Sequence, residues 1–156
     1  MVLRLTPDHM NAIAHCGEQA YPEEGCGILL GQSKHDAIRQ LVEVCPVPNV
    51  WSATENITDT SSKDAEARNK TSRFTIAPKD MLKAQKDARD RNLDIIGIVH
   101  SHPNHPAIPS ECDRAVAWSH YSYIIVSVHQ GVSPDVLCWR LDENRQFQPE
   151  ALLITA

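Results

Sequence analysis

The chain has 156 residues, 42% of them hydrophobic and 22% charged, which suits one domain with a sizeable core. Its 15 basic and 20 acidic residues give a formal net charge of -5; without a strongly basic surface, neither nucleic acid nor an anionic membrane is expected as a partner. No apolar run nears the ~20 residues that cross a bilayer, and MVLRLTPDHM lacks the apolar stretch of a signal peptide, so a cytoplasmic location is expected. The 5 cysteines (Cys16, Cys26, Cys45, Cys112, Cys138) are odd in number, scattered and free of any CxxC; neither a disulfide framework nor a thiolate zinc finger is expected.

Thr6-Pro7 predicts a helix start, with Thr6 as N-cap and proline in the first turn. Met10, Ile13, Ala14, Gly17, Ala20 and Tyr21 share one face, and Pro22 ends the helix. Cys26–Gly31 predicts a buried strand, Ser33–Asp36 a polar turn, and Ile38–Val47 a strand stopped by Pro46 and Pro48. Residues 49–72 are rich in Ser, Thr, Asn, Asp and Lys and form a polar insertion of unusual length for a compact domain. Arg73–Ala77 predicts a strand and Pro78–Asn92 a second helix with a stripe of Met81, Leu82, Ala84 and Ala88. Leu93–Ser101 is the most apolar strand up to that point and the expected centre of the sheet. A proline-rich loop, HPNHPAIP, leads into a short helix from Ser110 to about Trp118. Strands are predicted at Tyr121–His129 and Val136–Leu141, with a last one in the tail. Alternating strands and helices imply a mixed sheet covered by helices.

The stretch His100-Ser101-His102-Pro103 followed by Pro109-Ser110-Glu111-Cys112-Asp113 carries chemistry. It begins at the C-terminal end of the central strand, the edge where α/β sheets bind ligands. Alternation along a strand points His100 and His102 to one side and Ser101 to the other. Ser110 and Asp113, three apart at a helix start, share a face. Two imidazoles and a carboxylate are a catalytic zinc ligand set, with one position left for water. Such chemistry also needs a proton acceptor, for which Glu24 is available; Glu23 adjoins it, and spacing alone does not choose between them. Ser110 could donate to a developing oxyanion, although its position equally suits an N-cap. His105 lies between the two blocks and is expected at the rim. Trp51, Trp118 and Trp139 are read as packing residues.

HSHP, seven intervening residues and SxxD, together with the upstream Glu24-Gly25-Cys26-Gly27-Ile28-Leu29, resemble the motif of the JAMM (MPN+) zinc metalloproteases. YPEEGCGILLG, RFTIAPKDML and YIIVSV extend the resemblance over most of the chain, towards the short prokaryotic members. The resemblance implies a single domain over 1–156 with a cytidine-deaminase-like α-β-α sandwich and a mixed central sheet. It implies one zinc ion held by His100, His102 and Asp113, Glu24 rather than Glu23 as general base, and Ser110 as transition-state stabiliser. It further implies cleavage after the C-terminal Gly-Gly of a ubiquitin-like or ThiS/MoaD-like sulfur-carrier protein, releasing cysteine or a C-terminal extension. The 49–72 insertion would grip the extended carrier tail, as an added strand. The competing reading is a non-catalytic MPN scaffold, which the presence of all five motif residues disfavours. A nucleobase deaminase would need H-x-E and P-C-x-x-C, and neither occurs.

Overall fold

The computed structural model describes residues 1–35, 37–52 and 69–156; most of the insertion expected at 49–72, with its expected grip on a substrate tail, lies outside them. In chain order the elements are β1 (Val2–Leu5), α1 (Pro7–Ala20), β2 (Cys26–His35), β3 (Ile38–Val47), α2 (Pro78–Asp90), β4 (Asp94–Pro103), α3 (Glu111–Val116), β5 (Ser122–His129), β6 (Val132–Leu141) and β7 (Phe147–Ile154). Among these elements no helix is long and apolar enough to cross a membrane.

The sheet is mixed and carries helices on both faces, as the alternation of elements predicts. Its order is β1-β3-β2-β4-β5-β6-β7, and β1 joins both edges by pairing in parallel with β3 and β7. One core lies between the sheet and α1, where Ile13 and Cys16 meet Leu29, Val99, Ile124 and Val126. The other lies under α2, where Ala84 and Ala88 meet Ile28, Leu30, Ile98 and Tyr123. A register shift between β2 and β4, at Leu29/Leu30, skips Ile96 and turns its side chain into the α1 core.

Four elements differ from their predicted form. β1 escapes the sequence reading because it is short and runs directly into the α1 cap, yet its Leu3 and Leu5 are fully buried. β2 continues to His35 instead of turning at Ser33, because Ser33 and His35 pair with Arg39 and Ile38. β6 begins at Val132 rather than Val136, pairing there with His129. β3 keeps its predicted bounds, Ile38–Val47, although it includes Pro46, which pairs with Gly27. That proline is tolerated because β1 covers β3 only at Ile38–Gln40, so the missing N–H interrupts no second ladder. Arg73–Ala77 is not a strand; it makes a single bridge, Ile76 to Asn49, and its main chain is held by a side chain described below.

Candidate metal and active site

β4 is almost wholly buried, and its last turn of pleat carries the two histidines. The alternation holds: the Nε2 atoms of His100 and His102 are 3.2 Å apart, whereas Ser101 faces α1. There Gly17 permits close approach, since a Cβ at that position would stand 2.9 Å from Ser101 Cβ. Asp113 Oδ2 lies 3.1 Å from His102 Nε2 and 3.3 Å from His100 Nε2. These three atoms form a nearly equilateral triangle. The edge of a tetrahedron with bonds of about 2.0–2.1 Å is about 3.3–3.4 Å, so the triangle has the size of three zinc ligands. His102 Nδ1 is 2.8 Å from the Pro106 carbonyl, a partner that fixes the ring and leaves Nε2 aimed at the triangle. The His100 ring is stacked on Phe74 with centroids 4.5 Å apart.

Asp113 is placed by helix-end chemistry. Ser110 caps α3: its Oγ accepts from Asp113 N at 3.0 Å, and Ser110 N donates to Asp113 Oδ2 at 2.8 Å. This reciprocal capping box fixes the rotamer of Asp113, so the oxygen that caps the helix is also the one that faces the histidines. Burial alone would raise the Asp113 carboxyl, but the His100 and His102 rings and the Ser110 N–H hold it well below the usual carboxylate range. Accepting one hydrogen bond does not consume the Ser110 hydroxyl proton; exposed on the cleft wall, it remains able to donate.

Glu24 reaches the site through strand register. Cys26 pairs with His100 in the antiparallel β2–β4 ladder, and continuing that register sets Glu24 opposite His102 on the same face. One ligating-type atom each from Glu24, His100 and His102 lie within 4.8 Å of one another. Glu24 is only 3% exposed, and its Oε1 makes no hydrogen bond. Burial pushes its carboxyl up to about 8, with His102 and Arg73 partly opposing and Asp113 reinforcing the shift. Glu23, its neighbour, is exposed. The cleft above these groups has a volume of about 300 Å³ and is walled by Ser72, Arg73, Pro106 and Ile108 as well as the site residues. His105 is exposed on its rim, and the Trp139 indole donates to Ala107 O at 3.0 Å, tying down the loop rather than facing the cleft.

Two contributors escape the sequence reading. Ser101 Oγ accepts the buried Gly25 N–H at 2.8 Å, and Ser101 N donates to Gly25 O at 3.0 Å. The residue between the histidines therefore anchors the chain beside the glutamate. Its position on the opposite face of the strand is the signal that could have suggested this. Phe74, which backs His100, gives no such signal. Gly25 itself is packed against α1, where an added Cβ would stand 2.3 Å from the Cys16 carbonyl oxygen and 3.0 Å from Ala20 Cβ. The obstacle is helix backbone, which cannot rotate away. Gly25→Ala is expected to cost about 2–3 kcal/mol by overpacking, lowering Tm by roughly 5–10 °C. A melting curve matching the parent would show that the helix yields.

Comparison with known proteins shows the family of the chain. Residues 6–142 match the family described as prokaryotic homologues of the JAB domain. A desampylase from Pyrococcus furiosus is 48% identical over 40 residues, which are 26% of this chain and 29% of that protein. A probable TtuB-protein conjugate cleaving protease from Thermus thermophilus is 30% identical over 112 residues, 72% of this chain and 60% of that protein. The chain thus covers less than two thirds of the length of either. A Desulfitobacterium hafniense protein solved in solution is similar throughout, with a TM-score of 0.76, 26% identity and coverage of 99% of this chain and 93% of that one.

Proposed function

The chain belongs to the family of prokaryotic homologues of the JAB domain, and from that premise we propose that it is a zinc-dependent hydrolase that cuts the peptide or isopeptide bond after the C-terminal Gly-Gly of a ubiquitin-like or sulfur-carrier protein. The observation that carries the proposal is the triangle of His100, His102 and Asp113 donor atoms, 3.1–3.3 Å on a side, with the unpartnered Glu24 Oε1 beside it. One divalent cation would accept a lone pair from all three donor atoms at once. Imidazole and carboxylate donors suit zinc.

His100, His102 and Asp113 would hold that ion, and when bound it supplies Lewis-acid activation of water near neutral pH. Glu24 would take a proton from the attacking water at Oε1, which has no hydrogen-bond partner. It would then return the proton to the departing nitrogen. A carboxyl raised towards 8 can both accept and release a proton near neutrality. Ser110 Oγ–H, held at the cleft by the α3 cap, would donate to the oxygen of the attacked carbonyl.

The names of the two relatives support a carrier or modifier protein as substrate. The test is incubation of the zinc-loaded chain with Gly-Gly-ended carrier proteins bearing short C-terminal extensions, read by intact mass. Loss of the extension after Gly-Gly is expected, abolished by a chelator and restored by added zinc. Uncut carriers throughout, with zinc bound, would favour the scaffold reading; cleavage that survives the chelator would refute the metal dependence.

A further inference from the structure

We infer that Asn49 is a positioning residue of this site, whose carboxamide holds the Glu24 main chain and the 69–76 wall of the cleft in one fixed relation. The inference rests on the hydrolase reading above. A carboxamide has two donor hydrogens and two acceptor lone pairs, and Asn49 uses all four. Its Nδ2 donates to Glu24 O and to Arg73 O, each at 3.0 Å. Its Oδ1 accepts from Trp51 N and from Thr75 N, each at 3.1 Å. Two carbonyls on one side and two N–H groups on the other fix which end is nitrogen.

The partners explain why this side chain matters. Glu24 precedes β2, and Arg73 and Thr75 lie outside any strand; beside the single Asn49–Ile76 bridge, with Val50 N donating to Thr75 O at 3.0 Å, no strand ladder fixes their main chain. Asn49 stands in for that ladder. The same strip of wall accepts the Glu24 N–H through Lys70 O at 2.6 Å. With Ser101 on the Gly25 N–H, the main chain at Glu24 is tied on each side by a separate cross-link. The wall in turn carries Phe74, stacked on His100, and Arg73, whose charge acts on Glu24. Loosening Asn49 would let the base and the wall drift apart while β4 and α3, which carry His100, His102 and Asp113, stay where they are.

Asn49→Asp keeps the shape and both acceptor contacts but turns a carboxylate oxygen towards two carbonyl oxygens. The experiment uses the zinc-loaded full chain and a Gly-Gly-ended carrier with a C-terminal peptide extension. The expected result is a kcat about 10–100-fold lower, as for a sub-ångström misplacement of a reacting group. KM should rise a few-fold, with zinc stoichiometry equal to that of the parent. Asn49→Ala, which removes the donors without the repulsion, should show a smaller loss in the same direction and serves if the aspartate variant does not fold. A mutant cycle separates positioning from general damage: on the residual turnover of Glu24→Gln, adding Asn49→Asp should cost less than about threefold, since there is no base left to misplace. Parent-like kcat in both Asn49 variants, an equal fold-loss in both backgrounds, or loss of zinc would each overturn the inference. An inactive parent would instead overturn the hydrolase reading itself, so the two failures are distinguishable.

Discussion

Glu24→Gln is expected to retain zinc at the parental stoichiometry and to lower turnover by about 10²–10⁴-fold, the usual contribution of a positioned general base. The substitution changes one atom type and little else. The side chain is 3% exposed, wedged opposite His102, and its Oε1 has no hydrogen-bond partner. A glutamine fills the same volume but cannot accept a proton from water at Oε1. Folding should not suffer, because an unpartnered buried carboxyl is itself unfavourable; the melting temperature is expected to equal or exceed that of the parent. The pairing of intact metal and intact fold with lost turnover is what distinguishes a base from a ligand. Zinc content, melting temperature and kcat on one preparation make the measurement, and near-parental kcat would remove Glu24 from the proton transfer.

Asp113→Ala is expected to lower zinc affinity by at least about 10²-fold, more than the 10–100-fold typical of a lost outer-shell partner, and to abolish turnover with it. Its Oδ2 completes the triangle with the two Nε2 atoms, and two imidazoles alone leave the cation without a charged donor. The change also removes the acceptor of the Ser110 N–H, and the lost cap should cost about 1 kcal/mol. Asp113→Asn separates the two effects, since its side-chain oxygen can still accept from Ser110 N while the charge is gone. Metal analysis after dialysis, with melting curves for both variants, gives the readout. Parental zinc content in the alanine variant would contradict the ligand assignment.

Much of the site is local, and local order is what a sequence displays. The period of a strand sets His100 and His102 on one face whatever surrounds them, and their Nε2 atoms meet at 3.2 Å. The chemistry of a helix start sets Ser110 and Asp113 face to face through reciprocal bonds three residues apart. The bland reading of Ser110 as an N-cap and its reading as a site residue are the same fact, because the cap is what aims Asp113. The choice of Glu24 over Glu23 was open to spacing alone and followed only from resemblance. In the fold it follows from register, which buries one glutamate opposite His102 and leaves the other in solvent.

The amino-acid sequence by itself determined the helices, the central strands and the two candidate-site blocks, because helical and strand periodicity, capping and proline placement act over a few residues. Only the tertiary structure decided what depends on pairing between distant segments: that β1 links both edges of the sheet, that residues 73–77 are held by the Asn49 carboxamide and a single bridge to Asn49 rather than as a strand, and that Ser101 anchors the chain at Gly25. Such contacts form where distant segments meet and a strand or side chain of one must satisfy the backbone hydrogen bonds of the other. No pattern within either stretch alone announces its partner.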